Sequence, residues 1–113
     1  MTPLETLKAA RQTLKAARQL ITDPAKWTQN AFARDKNGKM ISPTNNGAVC
    51  FCALGAIRFF TKEPNITVAD IFLNAFSNSK YGEDLDTFND THTHAEVLAL
   101  FDAAIAELEG VQS

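Results

Sequence analysis

No apolar run in this chain approaches the roughly 20 residues needed to cross a bilayer, and the most apolar stretch, AVCFCALGAIRFF at 48–60, contains an arginine. An excess of one charge sign is also missing. Eleven Lys and Arg against 13 Asp and Glu leave a formal charge of −2, so there is no global electrostatic drive toward nucleic acid. Cysteine is scarce, and Cys50 and Cys52 stand two residues apart, a poor geometry for a disulfide. A chain of 113 residues needs no such staple, because it buries about two-thirds of its unfolded surface on folding. G-x-x-x-x-G-K-[ST], G-x-G-x-x-G, G-x-S-x-G and H-E-x-x-H are all absent, which removes the readily recognised nucleotide-binding and hydrolase classes. The opening MTPLETLKAARQ is charged and amphipathic, unlike the unbroken apolar core of a secretory signal. A cytoplasmic protein with reduced thiols is therefore expected, folded as a single domain over residues 1–113.

What is present is a set of folding signals. Thr2, Pro3 and Glu5 open a helix with an N-cap, a proline suited to the first turn and a Thr-x-x-Glu capping box. Behind them LKAARQ recurs at a seven-residue interval, aligning Leu7, Leu14 and Ile21 with Ala10 and Ala17 alongside. This narrow seam admits close approach of another helix, within the monomer or across a dimer; two heptads fall short of the roughly three or four that specify a coiled coil. Lys8, Arg11, Lys15 and Arg18 form a basic row on the same helix. It reads as a solvated face rather than a phosphate site, because no other basic surface supports it. Asp23-Pro24 ends the helix near Thr22 and caps a short turn through PAKW. Asn37-Gly38 predicts a β-hairpin from Ala31 to Ile41 around a type I′ turn, in which both central residues take positive φ.

From Val49 or Cys52 to Phe60 apolar residues surround the axis of a buried helix. Gly55 weakens that helix by up to about 1 kcal/mol, which implies a closely packed neighbour. KEPN breaks it; Thr67 and Asp70 cap a third helix, for which Val68, Ile71, Phe72, Ala75 and Phe76 give the helical spacing. SNSKYGEDLDTFND reads as a polar loop with apolar anchors. Thr93 and Glu96 cap the last helix, with Val97, Leu98, Phe101, Ile105 and Leu108 inward and Gly110 as its stop. The predicted class is mainly α, a compact four-helix-type single domain with one short β-hairpin.

The chemical residues agree less closely. Cys50, Cys52, His92 and His94 are zinc-ligand types, but C-x-C and H-x-H are not structural-zinc spacings, and helical residues two apart point to different sides. Neither a metal nor a cofactor is expected. A thiol enzyme would use Cys52 at a helix start as nucleophile, His94 as base and Asn89 or Asp90 to orient it. No oxyanion hole or substrate pocket can be identified alongside them. The simpler interpretation makes the cysteines core residues, His94 a helix-start side chain bonded to a loop, and Asn89 and Asp90 partners for backbone in the preceding turn. Trp27 and Tyr81, with the hairpin, form a candidate groove wall.

WTQNAFARDKNGKMISPT, AVCFCALGAI and FNDTHTHAEVLALFDAAI together resemble a family of small bacterial and phage proteins known only as a domain of unknown function. Its members show A-R-x-L-I, W-T-x-G-x-x-A-R-D-x-x-G, W-C-A-L-G-A-L and W-N-D-x-x-x-x-T-H-A-E-V-L motifs. Position by position, the resemblance singles out Trp27, Arg34, Asp35, Gly38, Cys52, Gly55, Asn89, Asp90, His94 and Glu96, leaving Cys50 and His92 outside. Departures are Asn30 in place of glycine, Phe51 and Phe88 in place of tryptophan, a shorter stretch between Asp90 and Thr93, and an extra LKAARQ heptad. The resemblance implies one compact domain and no known activity.

The functional expectation is a small cytoplasmic binding or regulatory module, with a phage origin allowed by the resemblance. It would act through a protein partner or through self-association of the first helix, and not at a membrane or on nucleic acid. Its candidate binding residues are Trp27, Arg34, Asp35 and Tyr81. The alternative is a cysteine-dependent hydrolase or transferase with Cys52, His94, Asn89 and Asp90 as its catalytic set.

Overall fold

The computed structural model describes residues 2–62 and 67–112. In chain order these form α1 (Pro3–Leu20), a 3-10 turn (Pro24–Lys26), β1 (Ala33–Arg34), β2 (Met40–Ile41), β3 (Cys50–Phe51), α2 (Ala53–Thr61), α3 (Val68–Tyr81), α4 (Leu85–Thr91) and α5 (His94–Gln112). The protein is mainly helical, with a small antiparallel sheet of order β2-β1-β3.

The Thr2 hydroxyl accepts the Glu5 amide at 3.2 Å and donates to the Glu5 carboxylate at 3.0 Å, so α1 starts where its cap residues require. Its alanine-rich seam is spent inside the chain. Ala10, Leu14, Ala17 and Ile21 are buried, and α1 packs on α2 and α5. Part of the basic row is also engaged: Arg18 forks onto Asp102 at 3.0 and 3.1 Å, and Lys15 meets Glu109 at 3.0 Å. Asp23 then caps the 3-10 turn by accepting the Ala25 amide at 2.9 Å.

The predicted hairpin is present, with Ala33 opposite Ile41 and Arg34 opposite Met40. Its turn is not type I′. Asn37 is absent from the positive-φ residues, whereas Gly38 has φ +82°. Asp35 Oδ1 accepts the amides of Asn37 and Lys39 at 2.9 Å each, and the Gly38 amide donates to the Asp35 carbonyl, so a three-residue loop closes on one left-handed glycine. A third strand was not expected: Cys50 and Phe51 pair with β1 before the helix begins, and α2 starts at Ala53 behind Cys52.

In α3 the buried residues are Ala69, Asp70, Leu73 and Ser77; of the apolar residues that set its helical spacing, Phe72 and Phe76 pack against the core, while Val68, Ile71 and Ala75 are exposed. Two helical expectations change. The supposed polar loop contains α4. Asp84 accepts the Thr87 amide at 2.8 Å, and Leu85, Phe88 and Asn89 bury one side of the helix. Gly110 lies within α5 rather than ending it. In the KEPN break, Lys62 is the left-handed cap of α2 and the rest lies outside the described residues. The capping boxes of α3 and α5 form as expected.

Candidate functional site

Asn89, 1 % exposed, ties three distant segments together. Its Oδ1 accepts Trp27 Nε1–H at 2.8 Å and the Ala53 amide, at the start of α2, at 3.0 Å. Its Nδ2 donates to the Thr28 carbonyl at 3.1 Å and to Asp90 Oδ1 at 3.0 Å. Asp90 Oδ1 also accepts the Asn30 amide at 2.8 Å, at a residue whose φ of +63° suits asparagine or glycine. Gln29 completes the clamp by donating to the carbonyls of Asn89 and His92 at 3.1 and 3.0 Å. Asn89 and Asp90 do satisfy backbone groups, but in segments 36 to 61 residues away rather than in their own turn.

Arg34 and Asp35 work on the hairpin. Arg34 donates to Thr28 Oγ1, the Gly38 carbonyl and the Gln29 carbonyl at 3.0, 3.0 and 3.1 Å. Trp27 packs its ring 5.3 Å from His94, whereas Tyr81 lies against Phe88 at 4.9 Å. The two candidate groove walls thus have different ring partners.

The proposed thiol and base are engaged separately. Cys52 Sγ accepts the Gly55 amide at 3.3 Å, and His94 Nε2 donates to the Ile21 carbonyl at 2.6 Å. Burial pushes the Cys52 thiol up to about 11; the Gly55 N–H opposes this, and Asp86 and Asp90 add to it. A neutral thiol is a poor nucleophile. His92 stacks on Phe88 at 3.8 Å and bonds the Phe88 carbonyl through Nδ1. Among the described residues, no group of three or more His, Cys, Asp and Glu is placed to hold a metal, and no helix is long and apolar enough to cross a membrane. Native protein treated with iodoacetamide at pH 8 is expected to react at partly exposed Cys50 and to resist at Cys52, with His94→Ala changing neither rate. Peptide mass analysis reads the outcome; fast Cys52 labelling that vanishes with His94→Ala would restore the thiol–imidazole pair.

The clamp holds the hairpin beside α4 and leaves a cleft of about 680 Å³ between them. Phe32, 48 % exposed, Met40, 64 % exposed, and Ile41 line it together with Asp86 and Asp90. Cys52 also borders it. The Asp86 carboxyl is held above its ordinary range by burial and by the nearby Asp84 and Asp90, against the pull of Arg58.

One family profile matches residues 5–107. The chain belongs to the family of unknown function DUF6197. No curated protein and no solved structure matches it. DUF6197 membership therefore carries no activity, and the residues of this chain must supply the functional reading. Those carrying the resemblance have fold-holding roles here: Gly38 closes a turn, Cys52 caps α2, Asn89 and Asp90 clamp the hairpin, and Glu96 caps α5. Sequence reasoning missed Phe32, Met40 and Asp86, whose significance comes from meeting across a cleft. Each is individually an ordinary surface residue, so no local pattern marks it.

Proposed function

We propose that this chain is a small binding module that docks a basic, apolar segment of a protein partner in the cleft between the hairpin and α4. The observation that carries this reading is the pairing of exposed Met40 and Phe32 with Asp86 and Asp90 across one cleft with no Lys or Arg among the described residues that line it. Exposed aromatic and thioether side chains at a concave site favour protein contact. Asp86 and Asp90, with Arg58 pulling on Asp86 from outside the lining of this cleft, select a partner of opposite charge. The clamp around Asn89 supports it further, because a preorganised cleft loses little entropy on binding. Self-association through α1 has less support, since its seam faces α2 and α5. A regulatory role in the cytoplasm, in a bacterial or phage setting, belongs to the same proposal.

A short peptide alternating Leu and Lys serves as the probe. Titration followed by amide NMR is expected to move Ala31, Phe32, Ile41 and Asp86, and Met40→Lys weakens binding by about tenfold or more, or roughly 1.4 kcal/mol. Because Met40 is exposed, the variant retains the wild-type melting temperature. Equal binding of a Leu/Glu peptide, or binding unaffected by Met40→Lys, would remove the hairpin cleft from this role.

A further inference from the structure

The face of α3 that turns outward borders a second cleft, of about 820 Å³, whose opposite sides come from α2 and α4. Leu54, Ile71, Ala75 and Leu85 give it apolar walls, and Asp84 and Asp86 stand among its lining residues. Ile71 is 58 % exposed there. Asp70 also lines it, although the residue is only 4 % exposed. One of its carboxylate oxygens is accounted for: Oδ2 accepts the Thr67 amide at 3.0 Å within the capping box and lies 3.9 Å from Arg58 Nη2. The other, Oδ1, is buried and has no hydrogen-bond partner among the described residues, and the same holds for Arg58 Nε.

A buried carboxylate oxygen without a donor is costly, and helix capping explains Oδ2 alone. The contact with Arg58 is too long for a charge-assisted hydrogen bond, which runs at about 2.7–2.9 Å. Arg58 therefore balances Asp70 loosely without satisfying it. Among the described residues that line the cleft, three carboxylates accompany one guanidinium, so an anion is repelled and an N–H donor is attracted. The aliphatic walls suit methylene groups.

We propose that this cleft binds an organic cation, with an ammonium or guanidinium group donating to Asp70 and an aliphatic stem lying along Ile71 and Leu54. Oδ1 is closed to solvent, so such a ligand meets it as the Asp70 carboxylate turns toward the cleft, and it offsets the negative charge of Asp84 and Asp86. The group is carried either by a free small molecule or by a lysine or arginine side chain of a partner. This site rests on Asp70 and Arg58, not on the hairpin, although Asp86 borders both clefts.

The probes are 1,5-diaminopentane and argininamide as free cations, the Leu/Lys peptide as the side-chain source, and 1-pentanol and matched sodium chloride as controls, each followed by amide NMR. Saturable shifts at Leu54, Ile71 and Asn74 are expected with the cations and not with the controls. Asp70→Asn keeps an oxygen for the Thr67 amide while removing the charge, and weakens cation binding at least tenfold. Ile71→Lys, at an exposed position, places an ammonium in the cleft and competes with the ligand. Shifts from the diamine and argininamide identify a free-cation site; shifts at these amides from the peptide alone identify a side-chain site. No saturable shift with any of the three, shifts matched by 1-pentanol, or shifts unchanged in both variants would overturn the proposal. Met40→Lys leaves cation binding intact, so the two clefts stand or fall separately.

Discussion

Gly55→Ala is expected to destabilise the protein by about 3 kcal/mol, the upper range for overpacking a core, and to lower the melting temperature by roughly 10–20 °C. A methyl group placed on Gly55 would sit 1.9 Å from the Phe32 carbonyl oxygen and 2.8 Å from the carbonyl carbon. That carbonyl is held in place, because it accepts the Cys52 amide at 3.1 Å immediately before α2. Relief of the clash must move either the helix start or the strand segment, and both belong to the clamped region. The intrinsic helix preference of alanine over glycine, about 1 kcal/mol, acts in the opposite direction and is too small to compensate. Thermal and denaturant unfolding of the variant provide the measurement. Stability equal to the wild type would mean that α2 and Phe32 do not approach so closely.

Asn89→Leu is expected to have a similar or larger effect, a loss of about 4 kcal/mol. The side chain is nearly isosteric, so the cost comes from polar groups left without partners rather than from a cavity. Trp27 Nε1–H and the Ala53 amide lose their acceptor, and the Thr28 carbonyl loses its donor, at a site that is 1 % exposed. Each stranded buried group costs about 1–3 kcal/mol. Trp27 reports the change directly, since its fluorescence responds to release of the indole from its acceptor and from the His94 ring. Chemical denaturation followed by that signal gives the magnitude; a loss below about 1 kcal/mol would show that the clamp is dispensable.

Other polar residues of the chain are committed to the fold in the same way. Arg34 uses its donors on Thr28, Gln29 and Gly38, Asp90 holds Asn30, and His94 bonds Ile21. Residue types that elsewhere serve catalysis here satisfy backbone groups where the chain crosses itself without long strands or disulfides. Chemistry is better sought away from Cys52 and His94, in the two clefts, where exposed apolar groups stand beside carboxylates.

Helix starts were legible because each is decided within one turn: Thr2 with Glu5, Asp23 with Ala25, Thr67 with Asp70 and Thr93 with Glu96 are near neighbours in sequence. The α1 seam and the close approach at Gly55 were legible for a related reason, since small residues at fixed spacing state how near another element comes, though not which one. The spacing in α3 does not separate buried from exposed residues: Ile71 and Ala75 are apolar yet border an open cleft and Val68 is exposed, while Asp70 and Ser77 are polar yet buried through their bonds to Thr67 and Glu83. The hairpin turn departed from type I′ because Asp35 accepts two amides and needs only Gly38 in the left-handed region. The sequence by itself thus determined the helical class, most helix starts and the presence of the hairpin, all set by short-range hydrogen bonding and periodicity. Tertiary structure alone decided the strand at Cys50 and Phe51, the Asn89 clamp and both clefts, because each depends on groups brought together across long stretches of chain, where chain order carries no distance information.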